Sequence, residues 1–331
     1  MTGGAGHEAP VAPAASRGAR QPDRADWPPH PWVAEGGGRR RVGLYGLTDE
    51  WARDVERVRL AEALGFDAFW AADHPLSHGR DPWTYLAALA AVTRRIRLGT
   101  LVTSAHYRPL ALLARIVADV DRISGGRAVL GIGIGDNPRD AARLGVPYPP
   151  VAARQAALAA ALRVLRPLLA GAAAELPGGE SVVLTPGPVQ ARVPILLAGG
   201  GERVTLRQVA EYADAANFGA GSPIGGAWTL ADVRRKYAVL RAHCQAVGRP
   251  YDSVLRTHFG ALRLAEGAET REVAVTSALG HRYLGLGADP AGAAAHYRAL
   301  ADAGVQYFVV QGLNDPATVR LFGERVLPAI R

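Results

Sequence analysis

From residue 42 to the end of the chain, short apolar runs alternate with longer helical stretches, and the cycle repeats eight times. The runs fall at 42–47, 66–72, 96–103, 127–134, 194–198, 215–218, 255–264 and 306–311. Strands buried on both faces of a parallel sheet read as continuous apolar runs, as these do. The stretches between them carry the spacing of one buried helical face, for example Val55, Val58, Ala61 and Leu64 ahead of a capping glycine at 65. Helices are expected to end near 65 and to span 82–94, 109–123, 138–145, 152–171, 202–213, 229–247 and 315–329, with 269–304 helical in two pieces. Eight strands each followed by helix predict an α/β fold, a (β/α)8 TIM barrel. The alternative is an open doubly wound sheet. The count of eight and the lack of a dinucleotide fingerprint after the first strand argue against it. Gly178-Gly179 and Pro186-Gly187-Pro188 mark a loop insertion near 172–192, between strands 4 and 5.

Residues 1–38 have a different character. They are Ala, Gly, Pro and Arg mixed with Glu8, Asp23, Asp26 and Glu35. The reading is a disordered tail at 1–38 ahead of one barrel domain at 39–331. The alternative is partial docking through Trp27 and Trp32. No apolar block follows, so a signal peptide is not expected, and Arg39-Arg40-Arg41 runs straight into a strand. The most apolar stretch, 156–174, is broken by Arg163 and Arg166, so no membrane span is expected. One cysteine, Cys244, excludes a disulfide framework and suits a reducing cytoplasm. No His, Glu or Cys cluster has metal-ligand spacing. The net charge of +8 is carried by arginine, with Lys236 the one lysine. Those arginines are scattered, which argues against nucleic acid and leaves an anionic small molecule as the milder account.

A barrel places its chemistry at the C-terminal ends of its strands. Strand 2 ends in Asp73-His74, a carboxylate and an imidazole suited to acid–base work or to simple loop capping. Strand 3 ends in Thr100-Leu101-Val102-Thr103-Ser104, with His106 nearby. Strand 4 ends in Gly131-Ile132-Gly133-Ile134-Gly135-Asp136-Asn137, where the glycines admit a flat ligand or a neighbouring backbone. Strand 5 ends in Ala198-Gly199-Gly200-Gly201, with a helix expected to begin at once. Three glycines there expose N–H groups to an anion, and a permissive turn is the alternative. Strand 6 ends in a second small-residue loop, Gly219-Ala220-Gly221-Ser222.

These residues, with Phe66-Asp67-Ala68-Phe69-Trp70, Arg95–Thr100, Asp121–Arg127 and Gly199–Leu206 continuing to Tyr212-Ala213-Asp214, resemble the bacterial luciferase-like flavin-dependent oxidoreductases. Within them the chain is most similar to the branch that uses the deazaflavin coenzyme F420. The resemblance runs from about 41 to 330. It implies a cofactor ring at the barrel mouth, with Asp73 and His74 near its reactive carbon. It implies a cis peptide at Leu101-Val102 backing the ring, and Gly135 and Ala198 beside it. Gly199, Gly200 and Gly201 would lie along the cofactor tail, and Gly219, Ala220, Gly221 and Ser222 would form the next loop. Asp136 stands where related sugar-phosphate dehydrogenases carry a catalytic Glu, although Asp136-Asn137-Pro138-Arg139 departs from the Trp-x-Glu pattern of many relatives.

Two activities follow from that resemblance. One is hydride transfer between F420 and a small organic substrate, with His74 as acid or base. The other is an FMN-dependent monooxygenase served by a separate flavin reductase. A non-catalytic binding barrel is the third possibility, disfavoured by the intact Asp73-His74 pair. A homodimer is common in the family, and neither substrate nor oligomeric state is written in the sequence.

Overall fold

A computed structural model describes residues 28–35, 38–219, 226–227, 229–276 and 282–331. Eight parallel strands close on themselves: β1 (Arg41–Tyr45), β2 (Ala68–Ala71), β3 (Arg97–Thr100), β4 (Ala128–Gly133), β5 (Ile195–Ala198), β6 (Ala215–Gly219), β7 (Leu255–Leu264) and β8 (Tyr307–Gln311). Each pairs with the next, and β8 returns to β1 in a register from Arg41 opposite Tyr307 to Tyr45 opposite Gln311. All eight strands coincide with the apolar runs of the sequence. Helix Trp51–Leu64 stops at Gly65, whose φ of 86° only glycine adopts freely and whose N–H caps Ala61 and Glu62.

The core has two layers. The larger lies between strands and helices and gathers residues such as Leu44, Phe69, Leu98, Leu130, Leu197 and Phe308. The smaller fills the barrel itself with Trp32, Trp70, Leu101, Leu196, Tyr307 and Val309 among others. Trp70 sits there because its neighbours are small. A Cβ at Gly43 would lie 2.4 Å from its Nε1, and one at Gly99 would lie 2.6 Å from its Cζ3.

The segment just before β1 departs from the expectation of a disordered tail through residue 38. Pro31–Ala34 is a short helix started by His30, whose side chain accepts from the Trp32 N–H. Trp32 is fully buried and packs against Trp70 and Tyr307 at centroid distances of 6.1 and 6.0 Å. Its Nε1 donates to Asp67 Oδ2 at 3.0 Å, and Arg41 Nη1 donates to its carbonyl at 2.7 Å. Composition misled here because one indole outweighs the prolines around it. Trp27 lies outside the described residues.

The region at 269–304 also differs. Arg271–Thr276 and Arg282–Ala288 are strands, paired antiparallel, and only Pro290–Asp302 is helical. Val273 and Val275 are half-buried and alternate with exposed Glu272, Ala274 and Thr276, a period of two that favours strand. The second strand extends β7 in parallel, from Leu262 opposite Leu286 to Leu264 opposite Ala288. Between β4 and β5, Ala174–Glu175 and Ser181–Val182 form a small antiparallel pair.

Candidate functional site

The strands end at a common mouth, where a cavity of about 230 Å³ is walled by Asp73, His74, Leu101, Val102, Gly133, Ala198, Gly199 and Gly219, with Tyr45 and Phe259 across from them. A wider opening of about 620 Å³ continues outward and shares Tyr45, His74, Asp136 and Phe259 with it. His74 and Asp136 therefore stand on the rim between the two spaces.

The His74 side chain is 14% exposed, and its Nε2 is 3.7 Å from Asp136 Oδ1. That is beyond a hydrogen bond but close enough to attract a protonated imidazole. Its Nδ1 is buried with no partner among the described residues. His78 packs edge-on against it at 5.0 Å. Burial, and then the neighbouring His74, hold the His78 imidazole below its ordinary value. Asp136 is half exposed.

Asp73 is tied differently. Its carboxylate accepts from both terminal nitrogens of Arg108, at 2.5 and 3.1 Å. Arg108 also donates to Asp81, which caps helix Pro82–Val92. Burial pushes the Asp73 carboxyl up, and the hydrogen bonds and charge of Arg108 pull it back. A bidentate, desolvated pair of this kind fixes geometry. Arg108 was not singled out from the sequence, and the signal was faint: an arginine just past the strand 3 loop.

The wall behind the cavity is the strand 3 bulge. The Leu101-Val102 peptide is cis. The alternating glycines of β4 make room for it. A Cβ at Gly131 would lie 1.8 Å from the Thr100 carbonyl oxygen, and one at Gly133 would lie 2.9 Å from Val102 Cγ2. Gly131 thus admits neighbouring backbone and Gly133 the Val102 side chain. Gly135, with φ of 76°, lies against Ser104 and His106, and Ser104 Oγ is 3.0 Å from His106 Nδ1.

Gly199 and Gly201 form the far wall, and Gly200 between them is buried and does not line the cavity. The helix does not start at once, as the sequence suggested. Residues 202–204 turn first and the helix is Thr205–Tyr212. The Gly199 N–H is taken by the Asn217 carbonyl at 2.9 Å, and Gly201 O accepts from Leu206 at 3.0 Å. Among the described residues none accepts from the N–H groups of Gly200, Gly201 or Glu202. Unused N–H groups in succession are what a bound anion needs. Lys236 is 2% exposed, and its Nζ donates to Gly200 O at 2.7 Å. The sequence marked it only as the one lysine, although it falls on the buried face of helix Leu230–Ala246 with Val233, Tyr237, Leu240 and Cys244. Gly219 closes the cavity where β6 meets β7, since a Cβ there would lie 1.9 Å from Phe259 O. Ala220, Gly221 and Ser222 lie outside the described residues.

So the structure brings His74, Asp136, Leu101, Val102, Ala198, Gly199, Gly201 and Gly219 around one cavity, with Asp73 at its base and Gly135 at its side. It adds Tyr45, Phe259 and Gln155, which no motif flagged, and Asn217 from the end of strand 6. Elsewhere, among the described residues, no helix is long and apolar enough to cross a membrane.

Comparison with known proteins agrees with the barrel fold. A 5,10-methylenetetrahydromethanopterin reductase of Archaeoglobus fulgidus is 34% identical over 172 residues, covering 50% of this chain and 48% of that protein. An F420-dependent glucose-6-phosphate dehydrogenase of Amycolatopsis mediterranei is 31% identical over 193 residues, covering 54% of this chain and 56% of that protein. The chain thus spans about half the length of these curated relatives. The structure of the coenzyme F420 dependent tetrahydromethanopterin reductase from Methanopyrus kandleri superposes with a TM-score of 0.72 at 18% identity, over 88% of this chain and 99% of that one. This last likeness shows the shared barrel fold. The family model for luciferase-like monooxygenases matches residues 30–321, nearly the whole barrel from the Trp32 segment onward, and the chain belongs to that family.

Proposed function

We propose that this chain is an oxidoreductase that transfers a hydride between coenzyme F420 and a small organic substrate, and that His74 moves the accompanying proton. The observation that carries the reading is the shape of the mouth. A narrow slot backed by Leu101 and Val102 opens past His74 and Asp136 into a wider space, and Gly201, whose N–H no described residue accepts, stands at its far wall. The two relatives described above are a reductase and a dehydrogenase, and the dehydrogenase is named as F420-dependent.

The residues fit such a cofactor. Gly133, Gly199 and Gly219 line the slot with backbone, and the N–H of Gly201, which also lines it, suits an anionic group of the cofactor. When bound, the deazaflavin supplies two-electron hydride transfer at one carbon. The chain supplies position and a proton. Arg108 holds Asp73 rigid at the base, so the strand 2 end cannot swing. His74, one residue on, offers Nε2 to the rim, where Asp136 attracts its protonated form. The substrate would occupy the outer space. The working unit in this reading is the barrel with residues 28–35 included, in place of a domain beginning at 39.

The second reading is an FMN-dependent monooxygenase fed by a flavin reductase. It is favoured by the match to the luciferase-like monooxygenase model. Fluorescence titration of the pure protein with F420 and with FMN separates the two. F420 binding at micromolar concentration supports the first, and FMN binding without F420 binding replaces it with the second.

A further inference from the structure

We propose that Lys236 is a positioning residue that aims the Gly199–Gly201 loop at an anion. The inference rests on the reading of this loop as the seat of the cofactor's phosphate. The C=O of Gly200 and the N–H of Gly201 belong to one trans peptide unit, so they point in opposite directions. Lys236, reaching from helix Leu230–Ala246, draws that carbonyl toward the helix layer at 2.7 Å. The Gly201 N–H must then face the other way, and Gly201 does line the mouth cavity. The same helix repeats the device one step on. His243 Nε2 lies 2.8 Å from Glu202 O, which turns the next-but-one peptide likewise. Backbone carbonyls bound from behind leave the loop's N–H groups as the surface a ligand meets.

Charge adds to orientation. The ammonium is buried beside the loop, so its field is screened less than that of an exposed group. Glu202 Oε1, 3.5 Å from Nζ and 3.1 Å from Arg235 Nε, offsets part of it from a more open position. A compact ammonium has a role here that the chain's arginines do not fill: it is a point donor on a slender stem within a packed layer.

The test compares each ring with and without its phosphate. Kd values are measured by fluorescence for F420 and its phosphate-free chromophore, and for FMN and riboflavin. The ratio within a pair is the phosphate increment. In Lys236→Met the increment should fall about tenfold, the order expected for losing a buried charge-assisted contact. Affinity for the phosphate-free ring should stay within about threefold, which also reports that the barrel is folded. Glu202→Gln, which removes the opposing charge, should raise the increment about twofold to fivefold, an effect of exposed-pair size. An unchanged increment in Lys236→Met, or an equal loss for both members of a pair, overturns the role. Should Lys236→Met not fold, Glu202→Gln decides alone, and an unchanged or lowered increment there overturns it. Wild-type protein that binds neither pair defeats the functional reading itself and this role with it.

Discussion

Trp32 should anchor the barrel, and removing it should be costly. The indole is fully buried, wedged against Trp70 and Tyr307 inside the strands at the end opposite the mouth. Truncating a large aromatic in a core costs about 3–5 kcal/mol in lost transfer energy and cavity. Asp67 Oδ2 would lose its 3.0 Å partner as well, although the nearby Arg41 remains to hold it. For a chain of this size each kcal/mol moves Tm by about 2 °C, so Trp32→Ala should lower Tm by about 6–10 °C. The assay is thermal unfolding by circular dichroism on three proteins beside wild type: Trp32→Ala, a deletion of 1–27 and a deletion of 1–36. Deleting 1–27 should leave Tm within about 2 °C, because a stretch dominated by Ala, Gly, Pro and Arg offers little apolar surface to bury. Deleting 1–36 should match or exceed Trp32→Ala. The reasoning fails if the longer deletion melts within about 2 °C of wild type.

Other outcomes are accessible with single substitutions. His74→Ala should keep F420 Kd within about tenfold and lower single-turnover hydride transfer at least about a hundredfold, the low end for loss of an acid or base; near-normal turnover would move that role elsewhere. Asp136→Asn should cost less than His74→Ala in the same assay, since its carboxylate is half exposed and 3.7 Å from the ring. Gly219→Val should fail to fold or lose much of its stability in urea, because a Cβ would sit 1.9 Å from the Phe259 carbonyl; wild-type stability would show that β6 and β7 can part. His258 is fully enclosed in the barrel wall, and burial, then His296, lower its pKa to about 4 from an ordinary 6.5. The folded state therefore resists its protonation, so stability is whole above about pH 6.5, falls as pH drops toward 4 and levels off below. His258→Phe should flatten that acid limb, and an unchanged limb would place the loss at other groups.

The barrel was legible because parallel strands buried on both faces leave continuous apolar runs, and each is punctuated by a capping or turn residue. The mouth followed from the fold, because strand ends converge there whatever they carry. What could not be read were contacts between residues far apart in sequence. Arg108 finds Asp73 across 35 positions, and Lys236 finds Gly200 across 36. The hairpin at 271–288 was missed because its glycines and alanines also suit helix ends, and its alternation is short. At residues 28–35 the alternative of docking through Trp32 describes the structure better than a disordered tail, because composition averages over a segment while burial acts on one side chain.

The motifs behind the family resemblance prove to be mostly scaffold. Asp121 accepts from the N–H groups of Val189 and Gln190 and from the Gln190 side chain, pinning the segment that leads into β5. Arg127 donates to the carbonyls of Ala90, Thr93, Ile96 and Ser124, closing the base of β4. Asp214, fully buried, holds Ile195 N–H at 2.9 Å between Arg192 and Arg166. Arg127 and Asp214 directly precede strands and Asp121 sits in the last turn of the helix that leads into β4, the end of a barrel associated with stability. The glycines of β4 belong to the same class, since Thr100 and Val102 require their absence of side chains. The slot's depth is therefore set by backbone contact, a framework that different chemistries can share. In the proposed reading, choice of substrate would rest with the side chains that ring the outer space, where Tyr45, His78, Arg80 and Tyr283 stand around His74 and Asp136. Substitutions at His78, Arg80 or Tyr283, which line only the outer space, should change which substrate is accepted while leaving the fit of the proposed ring below them intact.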